Sequence, residues 1–140
     1  MQIKTSDGSR LFDSVQCTYN ILEQRPGEAL VEAHNAGMDI IVKEGMANGR
    51  VFLNEKLQAI SDSSGYPIDQ LALACILAQP FNGRVLSGAV TNDQLVSNFK
   101  AMELSQKLMG DKKGLLDEIM QACCMDSETY WKDRSALAWN

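Results

Sequence analysis

The sequence predicts a single α/β domain. Two observations carry that prediction. Short runs rich in strand formers alternate with longer helical stretches, which implies parallel strands joined by right-handed crossovers. The chain is 140 residues long, 45% apolar and 22% charged, which is the length and balance of one globular domain.

The elements follow in order. Residues 1–11 hold the turn cluster Ser6-Asp7-Gly8-Ser9 and are expected to form a frayed lead-in. Residues 12–19 are partly alternating and form the first strand. Pro26 opens a helix with Ala29, Leu30, Ala33 and Ala36 as its apolar stripe, and Gly37 stops it. His34, the sole histidine, falls near the C-terminal end of that helix, a boundary position rather than a catalytic one. Met38 to Val42 is the second strand, and residues 43–50 follow as a loop with two glycines and two cations. A short helix spans 53–61. A clearer one spans 68–79, with Pro67 near its start and Pro80 at its end.

Residues 83–99 form the stretch on which the rest is organised. Val85 and Leu86 are the apolar residues of the third strand, and Ser87, Gly88 and Ala89 are small enough for a ligand or another backbone to approach. Thr91 and Gln94 have capping-box spacing and start a helix at Asn92, with Leu95, Phe99 and Met102 expected on its buried face. Such a turn can hold a phosphate on backbone N–H groups, but Asp93 in the first turn opposes an anion there. Residues 107–124 are helical with a break near Gly110-Asp111, and the tail carries Tyr130, Trp131 and Trp139, apolar enough to require docking.

Composition excludes several classes. A net charge of -5 argues against nucleic acid as a partner, because phosphate binding needs a basic face. The longest apolar run, Leu71 to Ala78, is too short to span a bilayer. Cys17, Cys75, Cys123 and Cys124 form no C-x-x-C pair and have no histidine at metal spacing. They imply a reducing, cytoplasmic setting and no structural metal.

Four motifs, in order, resemble the aldo/keto reductases: Val15 to Glu23, Gly37 to Glu44, Gln70 to Ala74, and Gly88-Ala89 with Gln94-Leu95 and Asn98. The last is similar to that family's G-A-x-x-x-x-Q-L-x-x-N signature. Tyr130-Trp131 with Arg134-Ser135 and the terminal Trp139-Asn140 resembles the end of one branch of the family. The resemblance implies a partial (β/α)8 TIM barrel. Residues 12–104 would be its last three β/α units, residues 1–11 a lead-in, and residues 105–140 a C-terminal helix and tail, all in one incomplete domain. A complete barrel takes about 250 residues.

The family reduces carbonyls with NADPH through an aspartate, a tyrosine, a lysine and a histidine from the barrel's first half. Tyr19, Lys43, Asp39 and His34 lie in the wrong units to be those residues. The resemblance therefore implies cofactor contacts without a catalytic set. Gln16 matches the glutamine that binds near the nicotinamide carboxamide. Lys43 stands where most members stack an aromatic ring. Met46, Ala47, Gly49 and Arg50 match the loop along the pyrophosphate. Gly88, Ala89, Thr91, Gln94 and Asn98 match the segment on the adenosine side. NADP is the implied cofactor and NAD the alternative, since Gln94 stands where an arginine often is. A small carbonyl substrate is implied only for the complete enzyme. The alternative is a non-catalytic half-barrel that self-associates, because its outer strand edges and the face with Val15, Ile41 and Leu86 would lack a covering wall.

Overall fold

The structure, a computed structural model, describes residues 3–138. Three parallel strands, β1 (Ser14–Thr18), β2 (Asp39–Lys43) and β3 (Arg84–Val85), lie side by side in that order. Helices α1 (Gly27–Asn35), α2 (Glu55–Ser64) and α3 (Ile68–Leu77) occupy the connections, with a 3₁₀ segment over Ala47–Leu53. Three more helices follow β3: α4 (Asn92–Met109), α5 (Lys113–Cys123) and α6 (Ser127–Ser135). The chain is thus α/β with a three-stranded parallel sheet.

Register decides which side chains are buried. β1 and β2 pair Val15 with Ile40 and Cys17 with Val42, and Val42 pairs with Val85 of β3. Paired residues of a parallel ladder share a face. Ile40 and Val42 are buried in one core cluster with Leu30 and Ala33 of α1 and Leu71 to Ile76 of α3. The helices therefore cover this face. The opposite face carries Ser14, Gln16, Asp39, Lys43 and Arg84, all exposed, and a half-buried Ile41. Arg84 and Asp39 pair across it at 3.3 Å. Val15, expected on the open face, lies instead on the helix side, because it is in register with Ile40.

Every residue of α3 from Gln70 to Ile76 is buried, as a helix apolar all round must be. It packs on α4 and also touches β3, α2, α5 and the 3₁₀ segment. Close approach is enforced at two glycines. A Cβ on Gly45 would meet Ile76, Leu73 and Val85 at 3.2–3.3 Å, and one on Gly83 would meet Val42 at 2.9 Å.

Two further expectations are corrected. α4 buries Asn98, Ala101, Leu104, Ser105 and Leu108, not the Leu95, Phe99 and Met102 stripe. Ala101 is small, and it lets α3 pack closely on that side. Leu95, Phe99 and Met102 instead line a groove of about 360 Å³ with Leu86 and Val85. From Ile3 on, the lead-in folds back on itself rather than fraying. Lys4 and Arg10 form an antiparallel bridge around Gly8, which has φ +82°. Arg10 then donates to the carbonyl oxygens of Ala36 and Gly37 at the end of α1, supplying acceptors left over at a helix C-terminus with a donor.

Of the aromatic tail, Tyr130 is fully buried and Trp131 is 45% exposed; Trp139 lies outside the described residues. The described part of the tail docks at the end of the sheet, through Tyr130 against Asn20 and Arg50, and leaves the open face uncovered among the described residues. The outer edges of β1 and β3 have no strand partner among the described residues. Unpaired edges beside exposed Leu86, Phe99 and Met102 favour pairing with another chain. Sedimentation velocity at micromolar concentration is expected to find the chain as a dimer or larger. A monomer across the whole concentration range contradicts this.

Candidate functional site

The C-terminal ends of β2 and β3 lead into two loops that face each other. The first begins at Glu44 and runs through the 3₁₀ segment. Its backbone enters the left-handed region at Glu44, Ala47, Asn48 and Gly49 (φ 58°, 49°, 56° and 84°). Asparagine and glycine tolerate this conformation, whereas Glu44 and Ala47 cost about 1–2 kcal/mol each. The turn is held by Ala47 N–H donating to the Glu44 carbonyl at 2.8 Å and by complete burial of Ala47.

The second loop joins β3 to α4. Ala89 N–H donates to Ser87 Oγ at 3.3 Å, and Gly88 turns the chain with φ +66° and open space where a Cβ would stand. Thr91 Oγ1 accepts from Gln94 N–H at 3.2 Å, and Gln94 Oε1 accepts from Val90 N–H at 2.9 Å. The reciprocal cap expected from the Thr91–Gln94 spacing is present, with the return bond one residue earlier than the cap itself.

Between these loops lies an open cavity of about 520 Å³, within the size range of small-molecule sites. Met46 and Gly49 line it from the first loop, Gly88 and Ala89 from the second, and Gln94 and Asn98 from α4. Asn98 is 9% exposed. With its amide turned so that Nδ2 points to acceptors, it donates to the Gln94 carbonyl at 3.2 Å and to Asp69 Oδ2 at 3.1 Å.

The remaining candidates lie elsewhere. Gln16 is exposed in the middle of β1 on the open face, and Lys43 is exposed at the end of β2. Ala47 is core, and Thr91 is spent on the helix cap. Arg50 is held away by the tail. Its Nε donates to the Ala47 carbonyl at 3.0 Å, its Nη1 donates to the Tyr130 carbonyl at 3.1 Å, and its guanidinium carbon sits 4.0 Å from the centre of the Tyr130 ring. Its Nη2 is buried without a hydrogen-bond partner.

Sequence reasoning did not pick out Phe52, Asp69 and Ser97 as cavity residues, and it read Asp93 only as opposing an anion. All four line the cavity, as does Ser87, which the sequence marked as a place a ligand could approach. Ser97 was within reach of a periodicity argument, since Gln94, Ser97 and Asn98 stand at i, i+3 and i+4 on one helix face. Phe52 and Asp69 are brought in by the chain's path through α2, which no local signal reports. No protein-family model matches the chain, and no curated protein matches it.

A buried polar network holds the first loop in place. Asn20 is fully buried. Its Oδ1 accepts from the N–H groups of Leu22 and Glu23, each at 3.0 Å, and its Nδ2 donates to the Glu44 carbonyl and the Tyr130 hydroxyl, each at 2.9 Å. Glu44 accepts from Arg134 Nε at 3.3 Å and from the Tyr130 hydroxyl at 3.4 Å. Ser127 Oγ donates to Glu23 Oε2 at 2.5 Å. Asp126 caps α6 through Thr129 N–H at 2.9 Å, and that bond lowers its carboxyl below the usual range.

Burial raises the Tyr130 hydroxyl above its ordinary value, against the lowering effects of the Asn20 bond and Arg50. A phenol raised on folding contributes stability that is present below its unfolded value of about 10 and is lost as pH rises through the higher folded value. Tyr130→Phe is expected to cost about 1–2 kcal/mol near neutral pH, because Asn20 and Glu44 each lose a buried partner. It should also flatten part of the fall in stability above about pH 10, with Tyr19 and the thiols of Cys17, Cys75 and Cys123, all raised by burial, keeping the remainder. Urea unfolding across that range checks both; an unchanged pH slope in the variant contradicts the assignment.

Proposed function

We propose that this chain is the cofactor-binding C-terminal part of an NAD(P)H-dependent aldo/keto reductase, without the residues that perform the reduction. The observation that carries the reading is the cavity beyond the C-terminal ends of parallel strands, where ligands of α/β proteins bind. It gathers Met46, Gly49, Gly88, Ala89, Gln94 and Asn98, all of which the motif resemblance assigns to cofactor contact. The partial-barrel reading belongs to the same proposal and is supported by three parallel strands in consecutive order with helices on one face. A cytoplasmic location belongs to it as well, supported by four free cysteines.

The residues present fit an adenosine moiety. Phe52 offers a half-exposed ring, Gly49 and Gly88 leave open space, and Ser87, Ser97 and Asn98 offer polar groups. Bound there, the dinucleotide supplies the hydride. This chain's residues hold the nucleotide and bring no proton donor to a carbonyl. A second reading, a self-associating binding module, is favoured by the bare sheet edges and the groove at Phe99 and Met102.

The purified 140-residue chain is expected to bind a dinucleotide and yet not to oxidise the reduced cofactor above background with simple aldehydes. General acid catalysis contributes about 10²–10⁴-fold, and the acid is absent. Cofactor absorbance at 340 nm checks turnover, and fluorescence of the reduced cofactor checks binding. Turnover that survives repurification contradicts the missing catalytic set. Absence of binding contradicts the reading as a whole.

A further inference from the structure

The charges around the cavity bear on which dinucleotide it takes, an inference that rests on the reading just proposed. None of its lining residues is basic, and two, Asp69 and Asp93, are acidic. Asp69 lies in the first turn of α3 and Asp93 in the first turn of α4. The positive ends of both helices are therefore already answered by carboxylates. Arg50, the cation that the motif places nearby, is engaged by the Tyr130 carbonyl and ring. Gln94 is neutral, and its oxygen is used by Val90 N–H.

We propose that the cavity selects a nucleotide whose ribose 2′-hydroxyl is free, NAD(H) over NADP(H). A ribose diol is a pair of donors, and ionised carboxylates are acceptors only. Asp69 has one oxygen bonded by Asn98 at 3.1 Å, which fixes the carboxylate and leaves its other oxygen to accept. A 2′-phosphate carries about -1.5 to -2 charges near pH 7 and would face these same carboxylates with no lining cation to offset it. An acidic residue on the 2′-hydroxyl favours NAD, and a cation near that point is what accommodates the 2′-phosphate. Asp93 is exposed, so its share of the discrimination falls as salt is added.

The test is calorimetric titration of the 140-residue chain with NAD+ and NADP+ at low ionic strength, repeated on Asp93→Asn and Asp93→Lys. Asp93 is at the surface, and both variants retain the Thr91 cap. The wild-type chain is expected to bind NAD+ about tenfold or more tightly than NADP+. Asp93→Asn should narrow that ratio, and Asp93→Lys should narrow it further or reverse it. NADP+ bound as tightly as NAD+, or a ratio that neither variant moves, overturns this inference and leaves the cofactor-binding reading standing. Failure of both nucleotides to bind overturns that reading and this inference with it.

Discussion

Asn20 is the constraint on which the arrangement of the molecule depends. It is a buried polar side chain with all of its ordinary bonding capacity used: two backbone N–H groups of its own turn, the carbonyl of Glu44, and the hydroxyl of Tyr130. These partners come from the end of β1, the end of β2 and a helix 110 residues further along the chain. A buried amide left unpaired costs about 1–3 kcal/mol for each lost bond. The three segments must therefore meet in one geometry or not at all. Tyr130 completes that junction, and it also places its ring against Arg50. The tail thus fixes the loop that forms one wall of the cavity.

That junction has an electrostatic consequence. The most suitable cation for an anionic ligand, Arg50, is turned toward α6, and the acidic first turns of α3 and α4 face the cavity. Negative charge placed beside Asp69 and Asp93 is therefore poorly met, while hydroxyl and amide groups are well met there. None of the four cysteines lines the cavity. Burial raises Cys17, Cys75 and Cys123 above the ordinary value, which disfavours their thiolate forms.

The features legible in the sequence were those decided locally. The order of strands and helices follows from alternation of pattern. The Thr91 cap and its return bond from Gln94 follow from spacing, and the stop at Gly37 follows from the left-handed φ that glycine accepts (77°). Features decided by long-range packing were not legible. The face of β1 that is buried depends on register with β2, so Val15 was placed on the wrong side. The stripe of Leu95, Phe99 and Met102 is a correct helical period, but contact with α3 selects the neighbouring face around Ala101. At the cavity the same division holds. Gly88 and Gln94 were readable because their turn is local. The diversion of Arg50 was not, because its partner lies 80 residues away. Phe52 and Asp69 were missed for the same reason.

The account's central claim is that the space between the loop after β2 and the β3–α4 turn binds a dinucleotide. The most direct measurement is an amide ¹H–¹⁵N chemical-shift titration of the isotopically labelled chain with NAD+. The account predicts saturable shifts concentrated at Gly49, Phe52, Gly88, Ala89 and Ser97, with the open-face residues Ser14 and Asp39 unmoved. Shifts confined to the open face, or none at concentrations that saturate ordinary dinucleotide sites, would contradict it.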